Sequence, residues 1–132
     1  MTAGLDTGSR PSTATRPAQG WTMVCRSADV PVERGVAALV GDVQVAIFRT
    51  YDGAVFAVGN RDPFSGAYVI SRGIVGTRGD APTVTSPMLK QVFDLRSGRC
   101  LDAALDSEVT LPVHAVRERD GFVEVAAAEG SG

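Results

Sequence analysis

Two stretches decide how this chain folds: Asn60-Arg61-Asp62-Pro63-Phe64-Ser65-Gly66-Ala67 and Ser86-Pro87-Met88-Leu89-Lys90-Gln91-Val92-Phe93-Asp94-Leu95-Arg96-Ser97-Gly98-Arg99-Cys100-Leu101. Pro63 and Pro87 directly follow Asp62 and Ser86 and stiffen each segment as a loop, because the pyrrolidine ring fixes φ. Gly66 and Gly98 suit positive φ or a close backbone approach, and Ser97-Gly98 reads as a hairpin turn. One residue separates Asp62 from Phe64, and two separate Ser86 from Leu89.

Outward from these loops the chain breaks into short β-prone runs punctuated by glycine, proline and aspartate. Trp21 to Arg26 reads as a strand and Ser27 to Pro31 as a turn or short helical piece. Gly35 to Val40 and Val43 to Thr50 flank Gly41-Asp42 at hairpin spacing, and Ala54 to Val58 completes a meander after Tyr51-Asp52-Gly53. Thr83 to Thr85, Gln91 to Asp94, Val113 to Glu118 and Gly121 to Ala126 supply further strands. Alternation in Phe122-Val123-Glu124-Val125 and His114-Ala115-Val116-Arg117-Glu118 predicts one buried and one wet face. The glycine-rich link from Ser71 to Asp80 reads as an irregular connecting loop; it lacks the Lys-Ser/Thr ending of a phosphate-binding loop. No internal repeat is visible. The expected class is all-β, an antiparallel sandwich or barrel that protects its strand edges.

The length of 132 residues fits one domain, and 44% hydrophobic with 21% charged residues is ordinary globular composition. The domain is expected over residues 21–127, between a disordered tail at 1–20 and a short tail at 128–132. Asp6, Gly8, Pro11 and Pro17 would spoil the amphipathic helix of a transit peptide. A net charge of −2 offers no broad basic surface, so nucleic acid is not an expected partner. No run approaches the length of a membrane span, and a cytoplasmic location is expected. Cys25 and Cys100 have no neighbouring Cys or His at metal spacing and read as small buried apolar side chains, with a disulfide as the lesser alternative. His114, the only histidine, reads as a structural or surface residue, and no nucleophile elbow accompanies it.

The order of elements and the wording of both loops resemble the Rieske family over about residues 21 to 127. In that family each loop supplies one Cys and one His to an iron-sulfur cluster. The resemblance sets the ligand positions on Asp62, Phe64, Ser86 and Leu89, none of which reproduces thiolate or imidazole ligation. The expectation is a Rieske-like fold with two ligandless cluster-type loops, and no catalytic residue, metal or cofactor in this chain. Phe64, Met88 and Leu89 would then fill space a cluster takes, while Asp62 or Ser86 caps backbone N–H groups.

Within that group, Asp62-Pro63-Phe64 and Ser86-Pro87 with Lys90-Gln91 resemble the small subunit of NAD(P)H-dependent assimilatory nitrite reductase. The resemblance implies a large-subunit partner carrying FAD, an iron-sulfur cluster and sirohaem, which reduces nitrite to ammonium. Arg61, Arg72, Arg78 and Lys90 place positive charge around the loops, either as solvated residues or as part of a docking face. The candidate partner contacts are Arg61, Phe64, Met88, Leu89 and Lys90. The other readings are an electron-carrying Rieske ferredoxin, which would need the missing ligands, and a free-standing interaction module unrelated to nitrite.

Overall fold

The structure, a computed structural model, describes residues 20–88, 90–102 and 109–126. The chain runs β1 (Trp21–Arg26), β2 (Arg34–Val40), β3 (Val43–Arg49), β4 (Val55–Gly59), β5 (Ile74–Arg78), β6 (Ala81–Thr85), β7 (Val92–Asp94), β8 (Val113–His114), β9 (Val116–Arg119) and β10 (Phe122–Ala126). These form three antiparallel sheets, ordered β1-β10-β9, β2-β3-β4-β8 and β5-β6-β7. Single turns of 3-10 helix at Ser27–Asp29 and Ile70–Arg72 are the only helical pieces among the described residues. None of them is long or apolar enough to cross a membrane.

The four-stranded sheet lies at the centre because both of its faces are apolar. Val45, Ala46, Ile47 and Phe48 in β3 are all fully buried, which explains a continuous apolar run where a half-exposed strand would alternate. Ala46, Phe48 and Val58 share one cluster with Val84 and Phe93 of the β5-β6-β7 sheet. Val45, Ile47 and Ala57 share the other with Val123 and Val125 of β10. Cys100 belongs to the first cluster and Cys25 packs against the second, so the two cysteines sit in separate cores and both are free. Burial, with Asp29 nearby, pushes the Cys25 thiol above its usual range.

Two expectations need correction. The run from Val113 to Glu118 is not one strand: β8 pairs with β4, while β9 pairs with β10 in another sheet. The chain turns a corner at Ala115, whose carbonyl accepts a hydrogen bond from Ala126 N at 2.9 Å. Period-two alternation reports which side chains are buried and carries no information about which sheet the backbone joins. The Ser71–Asp80 link is also not an irregular loop, since Ile74–Arg78 pairs along its length with Ala81–Thr85. The turn is Gly79-Asp80, with Gly79 at φ 62°. β-Branched Ile74, Val75 and Thr77 carry this edge strand, where Gly76 is tolerated. The tails expected at 1–20 and 128–132 lie outside the described residues apart from Gly20.

Candidate functional site: two clasped loops

The first loop leaves the end of β4 and the second leaves the end of β6, so they belong to different sheets. Asn60 ties down both ends of the first loop. Its side-chain Nδ2 donates to Gln44 Oε1 at 3.1 Å, and its Oδ1 accepts from Ser71 N at 2.8 Å. Its carbonyl accepts from Ile70 N at 3.1 Å. Residue type alone gave Asn60 no role, although an amide that can both donate and accept suits a strand-to-loop junction.

Within the loop, Asp62 N donates to Ala67 O and Gly66 N donates to Asp62 O, both at 2.7 Å. Asp62 Oδ1 accepts from Phe64 N at 2.8 Å and from Ser65 N at 3.2 Å. The second loop repeats this pattern. Ser86 N donates to Gln91 O at 2.8 Å, Lys90 N to Ser86 O at 3.1 Å, and Ser86 Oγ accepts from Met88 N at 3.2 Å. Both Asp62 and Ser86 therefore cap backbone N–H groups of their own loop, as Asx and Ser/Thr turns do.

The same ring of bonds occurs a third time. Asp94 N donates to Arg99 O at 2.9 Å, Gly98 N to Asp94 O at 2.7 Å, and Arg96 N to Asp94 Oδ1 at 2.7 Å. Each copy has a left-handed residue at the position four after its first residue: Gly66 at φ 82°, Lys90 at 68° and Gly98 at 80°. The chain thus does contain a short structural repeat. Asp62-x-x-x-Gly66 and Asp94-x-x-x-Gly98 carry a sequence signal for it; Ser86-x-x-x-Lys90 hides the third because glycine is replaced.

The two loops are joined by their side chains. Ser86 Oγ donates to Asp62 Oδ2, and both residues are fully buried. Oδ2 thus faces the other loop while Oδ1 serves its own, and a buried carboxylate is kept supplied with donors. Phe64 is half-buried, its ring 6.3 Å from that of Phe93 and packed against the first core cluster. Of the candidate contact residues, Arg61, Met88 and Lys90 are exposed, Met88 to 48%. Leu89 lies outside the described residues.

His114 is buried at 5% exposure, and its ring nitrogens have no hydrogen-bond partner. Burial pushes its pKa below the usual 6.5; the Ala126 carbonyl opposes this only in part, without a hydrogen bond of ordinary geometry. The ring helps line a cleft of about 340 Å³ with Gln44, Asn60, Arg61 and Tyr68. Among the described residues, no group of three or more His, Cys, Asp or Glu side chains gathers closely enough to hold a metal ion.

The chain matches the family described as a Rieske-like [2Fe-2S] domain over residues 20–126. The residues described where the sequence resemblance sets ligands do not fit that group: Asp62 and Ser86 offer hard oxygens hydrogen-bonded to one another, and Phe64 offers carbon. The NADH nitrite reductase small subunit of Escherichia coli K12 is 40% identical over 106 residues, covering 80% of this chain and 95% of that protein. A crystal structure described as an NADH-dependent nitrite reductase small subunit from Mycobacterium tuberculosis superposes with a TM-score of 0.77 at 49% identity, covering 85% of this chain and 98% of that one. In Klebsiella oxytoca the similar stretch lies inside a nitrite reductase [NAD(P)H] large subunit, 38% identical over 74% of this chain and 10% of that protein. With its all-β fold and its loop wording, this chain belongs to the Rieske-like domains, and among them to the family of nitrite reductase [NAD(P)H] small subunits.

Proposed function

We propose that this chain is the non-catalytic small subunit of a cytoplasmic NAD(P)H-dependent nitrite reductase. Its joined loops dock on a large subunit that holds FAD, an iron-sulfur cluster and sirohaem and that reduces nitrite to ammonium. The observation that supports the reading is the buried Asp62–Ser86 hydrogen bond, which joins the two loops through side chains at the positions where the Rieske resemblance sets ligands. A domain built in this way holds its loops in place without a redox centre of its own, and the electron chemistry belongs to cofactors elsewhere. The occurrence of a similar stretch within a Klebsiella oxytoca large subunit supports the same partnership, since there a segment like this chain shares a polypeptide with the rest of that large subunit.

The docking contacts on this reading are Arg61, Met88 and Lys90, with Phe64 supporting them from beneath and Leu89 beside them in the sequence. The test is co-expression with the large subunit of the same organism and capture through a tag on this chain. A complex with flavin and sirohaem absorption is expected, while the isolated chain is colourless and free of iron. Failure to capture the large subunit at low salt overturns the docking reading, and stoichiometric iron in the isolated chain overturns the ligand argument.

A further inference from the structure

Two copies of the repeated turn, Asp62–Ala67 and Asp94–Arg99, place glycine at the left-handed position, and the third places Lys90 there. L side chains rarely adopt this conformation, and glycine adopts it freely. Lys90 is exposed and forms no ion pair with any described residue, so no attraction within the described chain accounts for its presence. Glu33 and Asp120 are left-handed as well, at φ 63° and 55°, but of the three Lys90 alone stands where two matching turns carry glycine, and that contrast points to a role other than stability.

Its surroundings indicate which role. The carboxylate of the first loop, Asp62, is withdrawn from solvent, whereas Arg61 and Lys90 are displayed. The tips are therefore locally cationic on a chain of net charge −2. The Asp62–Ser86 bond couples the two loops, so both cations are presented by one joined frame, with Met88 exposed in the same turn as Lys90.

We propose that Lys90 is a recognition residue, an ammonium held on a left-handed backbone to meet a carboxylate on an acidic surface of the large subunit. Arg61 supplies the second cation and Met88 the apolar contact. The proposal rests on the docking reading above and adds the chemistry of the partner surface.

The experiment measures binding of the full chain to purified large subunit at low and high salt, alongside thermal unfolding of the chain alone. Lys90→Gly should hold or raise Tm and weaken Kd about tenfold at low salt, with the difference narrowing as salt rises. Lys90→Arg should keep most of the affinity, and Lys90→Glu should lose more than glycine does. Wild-type affinity that ignores salt, or Lys90→Gly binding as tightly as wild type at both salts, overturns this proposal and leaves the docking reading standing. A fall in Tm for Lys90→Gly without loss of affinity also overturns it. A wild-type chain that does not bind at all overturns both.

Discussion

In the Asp94–Arg99 turn the left-handed residue is pressed against the interior. A Cβ on Gly98 would lie 2.1 Å from Leu111 O and 3.0 Å from Val113 Cγ2. In the Asp62–Ala67 turn the equivalent Gly66 is nearly open, since its Cβ would meet only the end of the Arg61 side chain at 3.4 Å. The Ser86–Gln91 turn is open enough to carry Lys90. One backbone ring is thus used in two ways. Where it abuts other backbone it needs glycine for space as well as for φ, and it serves as framework. Where it faces outward only the φ requirement remains, and a side chain can be displayed at a modest energetic cost.

The largest expected effect is at the framework copy. Gly98→Ala combines a backbone clash with an unfavourable φ and should cost about 3 kcal/mol or more, whereas Gly66→Ala should cost about 1 kcal/mol for the φ alone. Urea denaturation of both variants measures the gap, and equal losses would break the distinction between the copies. Next in size is the clasp. Ser86→Ala leaves Asp62 Oδ2 buried without its cross-loop donor and should cost about 1–3 kcal/mol. Combined with Asp62→Ala, the loss should fall short of the sum of the two singles, because the residues share one bond. Full additivity would mean that each acts only within its own loop.

The smallest effect is a control whose hydrogen bonds touch none of the three turns. Arg49 Nη2 lies 2.6 Å from Glu118 Oε2, and this hydrogen bond holds the Glu118 carboxyl below the usual 4.5 and the Arg49 guanidinium above its own range. With the folded pKa depressed, the stabilisation is fully present above the unfolded value near 4.5 and is lost as pH falls through the lower folded value. Glu118→Gln should therefore lower stability slightly across the neutral region, leave the strongly acid end unchanged, and so flatten the acid limb between them. The pair is partly solvated, which keeps the effect small. An acid limb identical to wild type would assign acid sensitivity to other carboxylates.

Much of the architecture was legible in the residues. Gly41-Asp42 marked the β2–β3 hairpin, Trp21 to Arg26 matched β1, and the loops began where Pro63 and Pro87 stiffen the chain. Those signals are local, set by φ restriction and turn chemistry. Asn60, the corner at Ala115 and the Ile74–Arg78 strand were not legible, because each depends on which distant segment supplies the hydrogen bonds.

For the candidate site the division is sharper. Sequence alone determined which atoms stand at the loop positions, oxygens at Asp62 and Ser86 and a ring at Phe64, since ligand chemistry is a property of residue type. Only the tertiary structure decided that Asp62 and Ser86 meet, that Phe64 turns toward Phe93, and that Lys90 occupies the place glycine holds in two other turns. Those facts arise from two sheets brought together by separate apolar faces, and a hydrogen bond between residues 24 apart in the chain exists only once that packing has formed.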